Sequence, residues 1–336
     1  MSKILLICNY RPGVGGISGQ VEILQRKLRE EGHTADIFNT KASVLKRLSL
    51  IGRLKKMGRG YDVLHIHCCS DWGFLPAVVG ITAGRRLSKR IVLTYHGGGG
   101  EQFFEKHTRL VRHYLTRTDQ NIVLSGFLAK VFERFQLPYT VIPNIIELDP
   151  ALFRQRETLK PDFICTRAHE PLYNIPCILH AFKEVQAKLP EASLTLVGEG
   201  SDHQRLVALV NEMGLRNVAF TGKVDNSEIY KQLDNADIYV SSPTVDNMPV
   251  SLLEAMNAGL LVISSSVGGV PYIIRNGSNG LLFRSDDSSE LAMKMLWTIE
   301  NQAISQTLIA QAHRAVNAYR WENIKDNIYA AYGTHS

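Results

Sequence analysis

Two carboxylates flank the start of a helix in the stretch SSPTVDNMPVSLLEAMNAGLLVISSSVGGVPYII, residues 241–274. Asp246 lies in the polar loop before the helix and Glu254 lies in its first turns. Ionised carboxylates accept hydrogen bonds, and the free N–H groups of a helix start favour an anion. An ordinary strand–helix–strand unit with an acidic cap is the alternative. The loop composition and the glycine turn behind it favour a ligand site.

The elements around these carboxylates follow from the same stretch. An apolar strand, Ile238–Val240, leads into the loop, and Pro249 stands in the expected first turn of the helix, where its missing N–H costs nothing. Gly259 ends the helix. A second apolar strand, residues 260–264, runs to the turn Gly268-Gly269. The pattern places the carboxylates at the carboxyl end of a parallel sheet, where α/β proteins bind ligands.

His96 is a second candidate for chemistry. It ends the apolar strand Ile91–Tyr95 and precedes four glycines, Gly97 to Gly100. This position predicts a place in a cleft, whereas His65 and His67, within a strand, are more typical of the core or of supporting contacts. No carboxylate or cysteine stands at metal-ligand spacing from these two histidines.

A glycine-rich turn, residues 12–19, follows the first apolar strand. It fails the dinucleotide pattern because Ser18 stands where the third glycine is required, and it lacks the lysine of a phosphate-binding P-loop. It still permits a close approach of backbone to ligand at a helix start.

Charge is unevenly distributed along the 336 residues. Residues 1–150 hold 22 Lys/Arg against 12 Asp/Glu, and residues 151–336 hold 16 against 20. This asymmetry indicates two units and an N-terminal half that faces an anionic partner, which is nucleic acid, an acidic glycan or an anionic membrane. A generic basic surface is an equal alternative. Nucleic acid is disfavoured, because no recognised motif with interleaved aromatics is present.

Residues 41–60, KASVLKRLSLIGRLKKMGRG, predict a basic amphipathic helix. Such a helix can lie on an anionic bilayer, or it can pack its leucines on the sheet. The sequence leaves both open. The odd cysteine count of five, the short first apolar run and the lack of a membrane-spanning window lead us to expect a cytoplasmic protein, with peripheral contact at the inner membrane face.

Several short motifs, in order, resemble the retaining, nucleotide-sugar-dependent glycosyltransferases of family 4. They are Gly15-Gly16, Glu31-Gly32-His33, Thr94-Tyr95-His96-Gly97, Ile142-Pro143-Asn144, Thr166-Arg167, Gly198-Glu199-Gly200, Phe220-Thr221-Gly222, Asp246 to Glu254, Gly268 to Pro271, and Asn279 to Leu282. Each is weak alone, and their order and spacing over nearly the whole chain are specific.

The resemblance implies the GT-B architecture, with two Rossmann-like domains whose parallel sheets face each other across a cleft. We expect an acceptor-binding domain over residues 1–150 and a nucleotide-sugar-binding domain over 151–315. A C-terminal helical segment, 316–336, is expected to cross back to the first domain. The implied activity is transfer of a sugar, in bacterial surface polysaccharide or lipopolysaccharide biosynthesis, to a glycan or lipid-linked glycan acceptor. A UDP-sugar donor is favoured over a GDP-sugar.

The resemblance also assigns roles to residues. Arg167, Asp246 and His96 form the catalytic set, in which Arg167 holds the β-phosphate and Asp246 orients the donor sugar. Glu254 accepts from the ribose and the backbone at Val224 meets the nucleobase. The remaining expected donor-binding residues are Gly15, Gly16, Tyr173, Asn174, Asn247, Met248, Pro249, Val250 and Ser251.

Three positions depart from the family pattern. Asp246 replaces a glutamate, Tyr173-Asn174 replaces a lysine–glycine pair, and Tyr272 replaces a glutamate. We expect no cofactor and no divalent metal, because no Asp-x-Asp motif occurs. A GT-B sugar-nucleotide epimerase and a non-catalytic sugar-nucleotide-binding module are the alternatives to a transferase.

Overall fold

The computed structural model describes residues 1–12, 16–41, 49–147 and 152–334. The chain divides into two compact units. Unit 1 joins Met1–Glu147 with Tyr319–Ser336, and unit 2 is Leu148–Ala318. Each unit contains a six-stranded parallel sheet with helices packed against it. The predicted α/β class with two parallel sheets is confirmed.

Unit 1 has the strand order β2-β1-β3-β4-β5-β6. Its strands are β1 (Lys3–Cys8), β2 (Thr34–Asn39), β3 (Val63–Cys68), β4 (Arg90–Tyr95), β5 (Gln120–Val123) and β6 (Thr140–Val141). Its helices, in the first part of the chain, are α1 (Ile17–Glu30), α2 (Leu50–Gly58), α3 (Leu75–Arg86), α4 (Gly100–Lys106), α5 (Thr108–Leu115) and α6 (Gly126–Arg134).

Strand β1 explains why this sheet is covered on both faces. Leu5 and Ile7 pack into one apolar cluster, whereas Ile4 and Leu6 pack into another, and all four side chains are fully buried. Because successive side chains point to opposite faces of a strand, an unbroken apolar run is typical of a parallel strand buried on both sides.

Unit 2 has the strand order β12-β11-β10-β7-β8-β9. Its helices are α7 (Ile175–Lys188), α8 (His203–Glu212), α9 (Asn226–Asp234), α10 (Val250–Asn257), α11 (Val270–Ile273), α12 (Ser288–Glu300) and α13 (Gln302–Ala315). Its strands are β7 (Asp162–Cys165), β8 (Ser193–Val197), β9 (Val218–Gly222), β10 (Ile238–Ser241), β11 (Leu261–Ser265) and β12 (Leu281–Phe283).

The last helix, α14 (Trp321–Tyr332), belongs to unit 1. Trp321 and Ile328 are buried in the cluster that contains Ile4 and Leu6. The Glu31 carboxylate accepts from the Trp321 indole N–H at 3.0 Å and from the Lys325 ammonium at 3.0 Å. The motif that begins at Glu31 therefore anchors the C-terminal helix.

The stretch YTVIPN, residues 139–144, predicts a strand, but β6 spans only Thr140 and Val141, which are exposed. The polar residues from Glu147 to Pro161 predict a linker, and this prediction is partly wrong. Arg156 is buried, and its guanidinium donates to Asp237 Oδ1 at 2.9 Å and to the Ala258 and Gly259 carbonyls at 2.8 Å. Arg156, a polar residue of this segment, therefore forms hydrogen bonds within unit 2, and the segment around it is packed on that unit instead of being a solvent-exposed linker.

The basic segment at 41–60 is helical over α2, and residues 42–48 lie outside the described residues. Leu54 is fully buried and packs in the core of unit 1, with Ile51 packed against that core. The described part of the apolar face is thus used within the protein, while Arg53, Lys56 and Arg59 are exposed. Among the described residues, no helix has the length and apolarity needed to cross a bilayer.

Candidate functional site

The strand order of unit 2 reverses at β7, since β8 follows it on one side and β10 lies on the other. Residues Ile238 and Tyr239 of β10 pair in parallel with Phe163 and Ile164 of β7. The two loops that leave the carboxyl ends of β7 and β10 therefore diverge from neighbouring points. This is the place where open α/β sheets bind ligands.

Arg167 and Asp246 meet across this reversal. One terminal nitrogen of Arg167, Nη2, donates to the Asp246 carboxylate, and Nη1 donates to the Ser251 hydroxyl at 3.0 Å. The Arg167 side chain is 11% exposed and that of Asp246 is 14% exposed. Three residues predicted separately from the sequence thus form one hydrogen-bonded cluster.

Tyr173 completes the surroundings of the guanidinium. The guanidinium carbon of Arg167 lies over the Tyr173 ring, 4.0 Å from the ring centroid. This is the geometry of a cation–π contact. From the sequence, Tyr173 was expected among the donor-binding residues, and its ring contact with Arg167 was not foreseen.

Burial and charge oppose each other at Arg167. Burial lowers the pKa of its guanidinium, while the negative charge of Asp246 raises it, and the net shift is upward. Arg167 is therefore a permanent cation in a mostly buried position, where its charge is less screened than on the surface.

Glu254 is half-buried in α10, close enough to Arg167 for their charges to interact. Burial raises the pKa of Glu254 to about 7, although the positive charge of Arg167 opposes this shift. The carboxyl group consequently changes its charge near neutral pH, where an ordinary glutamate is fully ionised.

The glycine turn behind the acidic loop holds Asp246 in place. The Gly269 N–H donates to the Asp246 carbonyl at 2.9 Å. Gly268 has a φ of +49°, and a Cβ at this residue would lie 2.0 Å from the Asp246 carbonyl oxygen. Only glycine fits both the conformation and the space.

Strand β10 also fixes the turn that carries Tyr173. The Ser242 hydroxyl donates to the carbonyls of Tyr173 at 3.0 Å and Asn174 at 2.8 Å, and the Thr244 N–H donates to the Leu172 carbonyl at 2.8 Å. Asn174 adopts a left-handed conformation, φ +45°, and its amide donates to Asp286 at 2.9 Å. The Asn174 amide is therefore engaged with Asp286.

The residues between Asp246 and the helix were predicted to contact the donor. Asn247, Met248 and Pro249 are buried, and α10 begins at Val250. Pro249 precedes the first helical residue instead of lying within the first turn, because its extended ψ of 110° is not helical. Ser251 lies in the first turn of this helix, where its hydroxyl accepts the hydrogen bond from Arg167.

Val224 lies in the loop between β9 and α9, at the edge of the same sheet. Nearer the cluster, Gly198 at the end of β8 has a φ of +142°, and a Cβ there would lie 2.6 Å from the Arg167 carbonyl oxygen. The loop after β8 thus packs on the backbone that carries Arg167.

Tyr239 is a supporting residue that the sequence reasoning missed. It is fully buried in β10, its hydroxyl accepts from the Thr166 hydroxyl at 3.3 Å, and it is hydrogen-bonded to Ser251. A tyrosine inside an otherwise apolar strand was the available signal, since a buried tyrosine hydroxyl usually has a partner.

His96 lies in unit 1, at the carboxyl end of β4. Its Nε2 is 3.1 Å from His67 Nδ1, and burial lowers the pKa of His96 to about 4. His96 is therefore neutral at pH 7. It lines a cavity of about 580 Å³ together with Ser70, Asp71 and Lys106.

His65 has the supporting position expected from the sequence. Its two ring nitrogens are 2.8 Å from the Tyr332 hydroxyl and 2.8 Å from the Thr94 hydroxyl. Of the two predicted phosphate-loop glycines, Gly15 lies outside the described residues and Gly16 directly precedes α1, with φ +68°. Within the described residues, no group of three or more metal-ligating side chains occurs.

Family models match both units. The model for glycosyl transferases group 1 matches residues 153–315, and the model for glycosyltransferase family 4 matches residues 37–150. The chain belongs to glycosyltransferase family 4. In this family member, the Arg167 cluster lies within the group 1 match, and His96 lies within the family 4 match.

One curated relative is similar over nearly the full length. The phosphatidyl-myo-inositol mannosyltransferase of Mycobacterium tuberculosis is 27% identical over 375 residues, which cover 99% of this chain and 97% of the relative. This full-length match to a mannosyltransferase supports sugar transfer as the activity of the chain.

Two solved structures match the whole fold. HepE of Anabaena, in complex with UDP and glucose, has a TM-score of 0.80 at 18% identity, covering 99% of this chain and 100% of that chain. Sucrose-phosphate synthase of Thermosynechococcus elongatus has a TM-score of 0.81 at 20% identity, covering 99% and 98%. The expected GT-B fold is confirmed.

Proposed function

We propose that this glycosyltransferase takes its sugar from a nucleotide-sugar donor, a UDP-sugar in preference to a GDP-sugar, with retention of the anomeric configuration. The observation that carries the proposal is the buried Arg167 fork, hydrogen-bonded to Ser251 and Asp246 at the reversal point of unit 2. The UDP and UDP-glucose complexes of HepE support the choice of base.

The proposed reaction breaks the bond between the anomeric carbon and the diphosphate oxygen. The acceptor hydroxyl forms the new carbon–oxygen bond on the same face of the sugar, and its proton passes to an oxygen of the departing diphosphate. Arg167 stabilises the negative charge that develops on the diphosphate. Preorganised donors of this kind are often the largest catalytic contribution.

The other residues bind and orient in this proposal. Asp246 accepts from hydroxyls of the donor sugar and Glu254 accepts from the ribose, as ionised carboxylates do. The N–H groups at the start of α10 add positive potential toward the diphosphate. His96, neutral at pH 7, is proposed to contact the reacting sugar.

A thermal-shift series tests the donor. UDP, GDP, UDP-glucose, UDP-N-acetylglucosamine, UDP-galactose and GDP-mannose are compared at equal concentration, since a ligand stabilises the protein according to concentration over Kd. We expect the uridine nucleotides to raise Tm most, and Arg167→Ala to abolish that rise. Equal shifts in the parent and in Arg167→Ala contradict the proposed phosphate site.

Donor turnover separates this proposal from the other activities of the fold. With a glycan acceptor, Arg167→Ala is expected to lower nucleoside diphosphate release roughly hundredfold, the typical cost of one lost charge-stabilising donor, with an unchanged circular dichroism spectrum. Conversion of the donor without acceptor identifies an epimerase, and binding without release identifies a non-catalytic module.

We also propose that no divalent cation is needed, because Arg167 supplies the positive charge that a metal supplies elsewhere. Adding EDTA is expected to leave the transfer rate unchanged. A strict magnesium requirement contradicts this assignment.

We propose a glycan or lipid-linked glycan acceptor in bacterial surface polysaccharide or lipopolysaccharide biosynthesis, reached by peripheral contact with an anionic membrane. The basic N-terminal half supports it, through exposed cations of α2 and the adjoining Arg59. Vesicles containing phosphatidylglycerol are expected to bind the protein, and neutralising Lys46, Arg47, Lys55 and Lys56 with glutamine is expected to weaken that binding. Equal binding to uncharged phosphatidylcholine vesicles contradicts an electrostatic contact.

A further inference from the structure

The contacts of Arg167 differ in whether they compete with a ligand. Asp246 and Ser251 occupy the two terminal nitrogens, so both contacts lie in the plane of the guanidinium. A phosphate binds arginine through these same in-plane N–H donors. Asp246 and Ser251 use two of the five N–H donors of Arg167, so a diphosphate that approaches Nη1 or Nη2 competes with them at those nitrogens.

The ring of Tyr173 holds Arg167 without this conflict. The central carbon of the guanidinium lies over the ring, 4.0 Å from the ring centroid, and this cation–π contact coexists with the hydrogen bonds of both terminal nitrogens. It also brings no negative charge that would repel a phosphate. The ring can consequently orient Arg167 both before and after a diphosphate enters.

The ring itself is fixed from behind by the backbone. Hydrogen bonds from Ser242 and Thr244 hold the carbonyls of Leu172, Tyr173 and Asn174 against the end of β10. Each bond is made by the main chain of the turn, so it persists when the Tyr173 side chain is changed. Variants of Tyr173 therefore alter the stacking contact while the turn keeps its anchors.

We propose that Tyr173 is a positioning residue whose ring face, and not its hydroxyl, orients the Arg167 fork toward the diphosphate of a nucleotide-sugar. This inference rests on the proposed function. At this position the family pattern has a lysine, and here a neutral aromatic ring takes the place of that second cation. Binding of the diphosphate then depends on one well-oriented arginine, Arg167.

The test compares Tyr173→Phe, which keeps the ring, with Tyr173→Leu, which removes it, and with Leu172→Ala as a control for loosening of the turn. Isothermal titration measures the Kd of UMP and of UDP for each protein. The Kd of UMP divided by the Kd of UDP reports how much the β-phosphate contributes to affinity. General damage to the unit weakens the binding of both ligands alike and leaves this ratio unchanged.

Tyr173→Leu is expected to lower this ratio about tenfold, whereas Tyr173→Phe and Leu172→Ala retain the parent ratio. A loss in Tyr173→Phe equal to that in Tyr173→Leu overturns the inference, because the hydroxyl then carries the effect. An unchanged ratio in Tyr173→Leu overturns it as well. If the parent protein binds neither UDP nor GDP, the proposed function itself fails, which is a separate outcome.

Discussion

Asp246 holds one of the five N–H donors of Arg167, and its negative charge lies beside the cation that is proposed to bind the diphosphate. The carboxylate thus competes with the diphosphate for Arg167. In the proposed function it also accepts hydrogen bonds from the donor sugar. The first role weakens the binding of a ligand that lacks the sugar, whereas the second strengthens the binding of a ligand that carries it.

Asp246→Asn is therefore expected to tighten UDP binding several-fold while it lowers sugar transfer at least tenfold. The amide removes the charge that competes for Arg167, but it also removes a charged acceptor for the sugar hydroxyls, whose hydrogen bonds are stronger than neutral ones. Titration calorimetry and initial rates measure the two effects.

Asp286→Asn is the matched control, since Asp286 is a carboxylate of the same unit that pairs with Asn174. It is expected to leave the UDP affinity within about twofold, as surface charges contribute little. Weaker UDP binding in Asp246→Asn would show that Asp246 assists the diphosphate and does not compete with it.

Glu254 gives the site a pH dependence. Burial raises its pKa to about 7, and in the proposed function the ionised form accepts hydrogen bonds from two ribose hydroxyls through its two oxygens. Affinity for UDP-glucose is expected to be constant above pH 8 and to fall about tenfold between pH 8 and pH 6, one decade per unit below the pKa.

UDP-glucose is the suitable probe because its two phosphate groups carry no proton that titrates in this range. Glu254→Gln is expected to bind more weakly and to lose the pH dependence. A flat profile for the parent protein excludes Glu254 as the titrating group in donor binding.

The identities of these residues were predictable, but their contacts were not. Arg167, Asp246 and Glu254 follow from short motifs and from the chemistry of their side chains. The pairing of Asp246 with Arg167 and the ring contact of Tyr173 depend on the backbone angles of two loops. Arg167 and Asp246, which form the ion pair between these loops, are 79 residues apart in the sequence. Sequence periodicity carries no information about such angles.

At the scale of elements, the turn at Gly268 determines where the Asp246 loop can lie. Gly268→Ala is expected to destabilise the protein by more than about 2 kcal/mol, since it combines a strained φ with a steric clash. It is also expected to weaken nucleotide binding. Urea unfolding and thermal shift measure both quantities.

Gly277→Ala separates strain from clash. Gly277 has a φ of +73°, and a Cβ there would meet no heavy atom within 4 Å. Its cost is expected to be about 1 kcal/mol, from the backbone conformation alone, with nucleotide binding retained. Equal costs for the two alanine variants would refute the importance of the contact between Gly268 and Asp246.

The strands were predicted better than the connections. Buried runs such as Ile4–Cys8 and Leu261–Ser265 combine apolar side chains with β-branched residues and leave little choice of structure. Strand β6 and the segment around Arg156 were misjudged. Their structure depends on partners remote in sequence, such as Asp237, and local composition reports only that they are polar or mixed.

At the scale of the molecule, helix α14 completes the apolar cluster of unit 1 that contains Ile4 and Leu6. Trp321→Ala is expected to cost about 3–5 kcal/mol of unfolding free energy, the usual range for a buried aromatic residue. It also removes the indole donor to Glu31. Asn327→Ala, at an exposed position on the same helix, is the control and is expected to change stability by less than about 0.5 kcal/mol.

Urea unfolding, followed by circular dichroism, measures these differences. A small cost for Trp321→Ala would mean that α14 is dispensable for unit 1. The sequence predicted a C-terminal segment that crosses back, because the resemblance implied it. The pairing of Glu31 with Trp321 was beyond reach, since nothing in the spacing of residues 290 positions apart connects them.

The return of α14 makes unit 2 an insertion within unit 1. The Ile146 N–H donates to the Tyr319 carbonyl at 2.9 Å, so the chain leaves unit 1 and re-enters it at adjacent points. Domain insertions are tolerated where the two ends lie close together. Unit 2 is therefore one continuous segment with neighbouring ends, and in the proposed function its exchange is expected to alter the donor while unit 1 keeps both of its own ends.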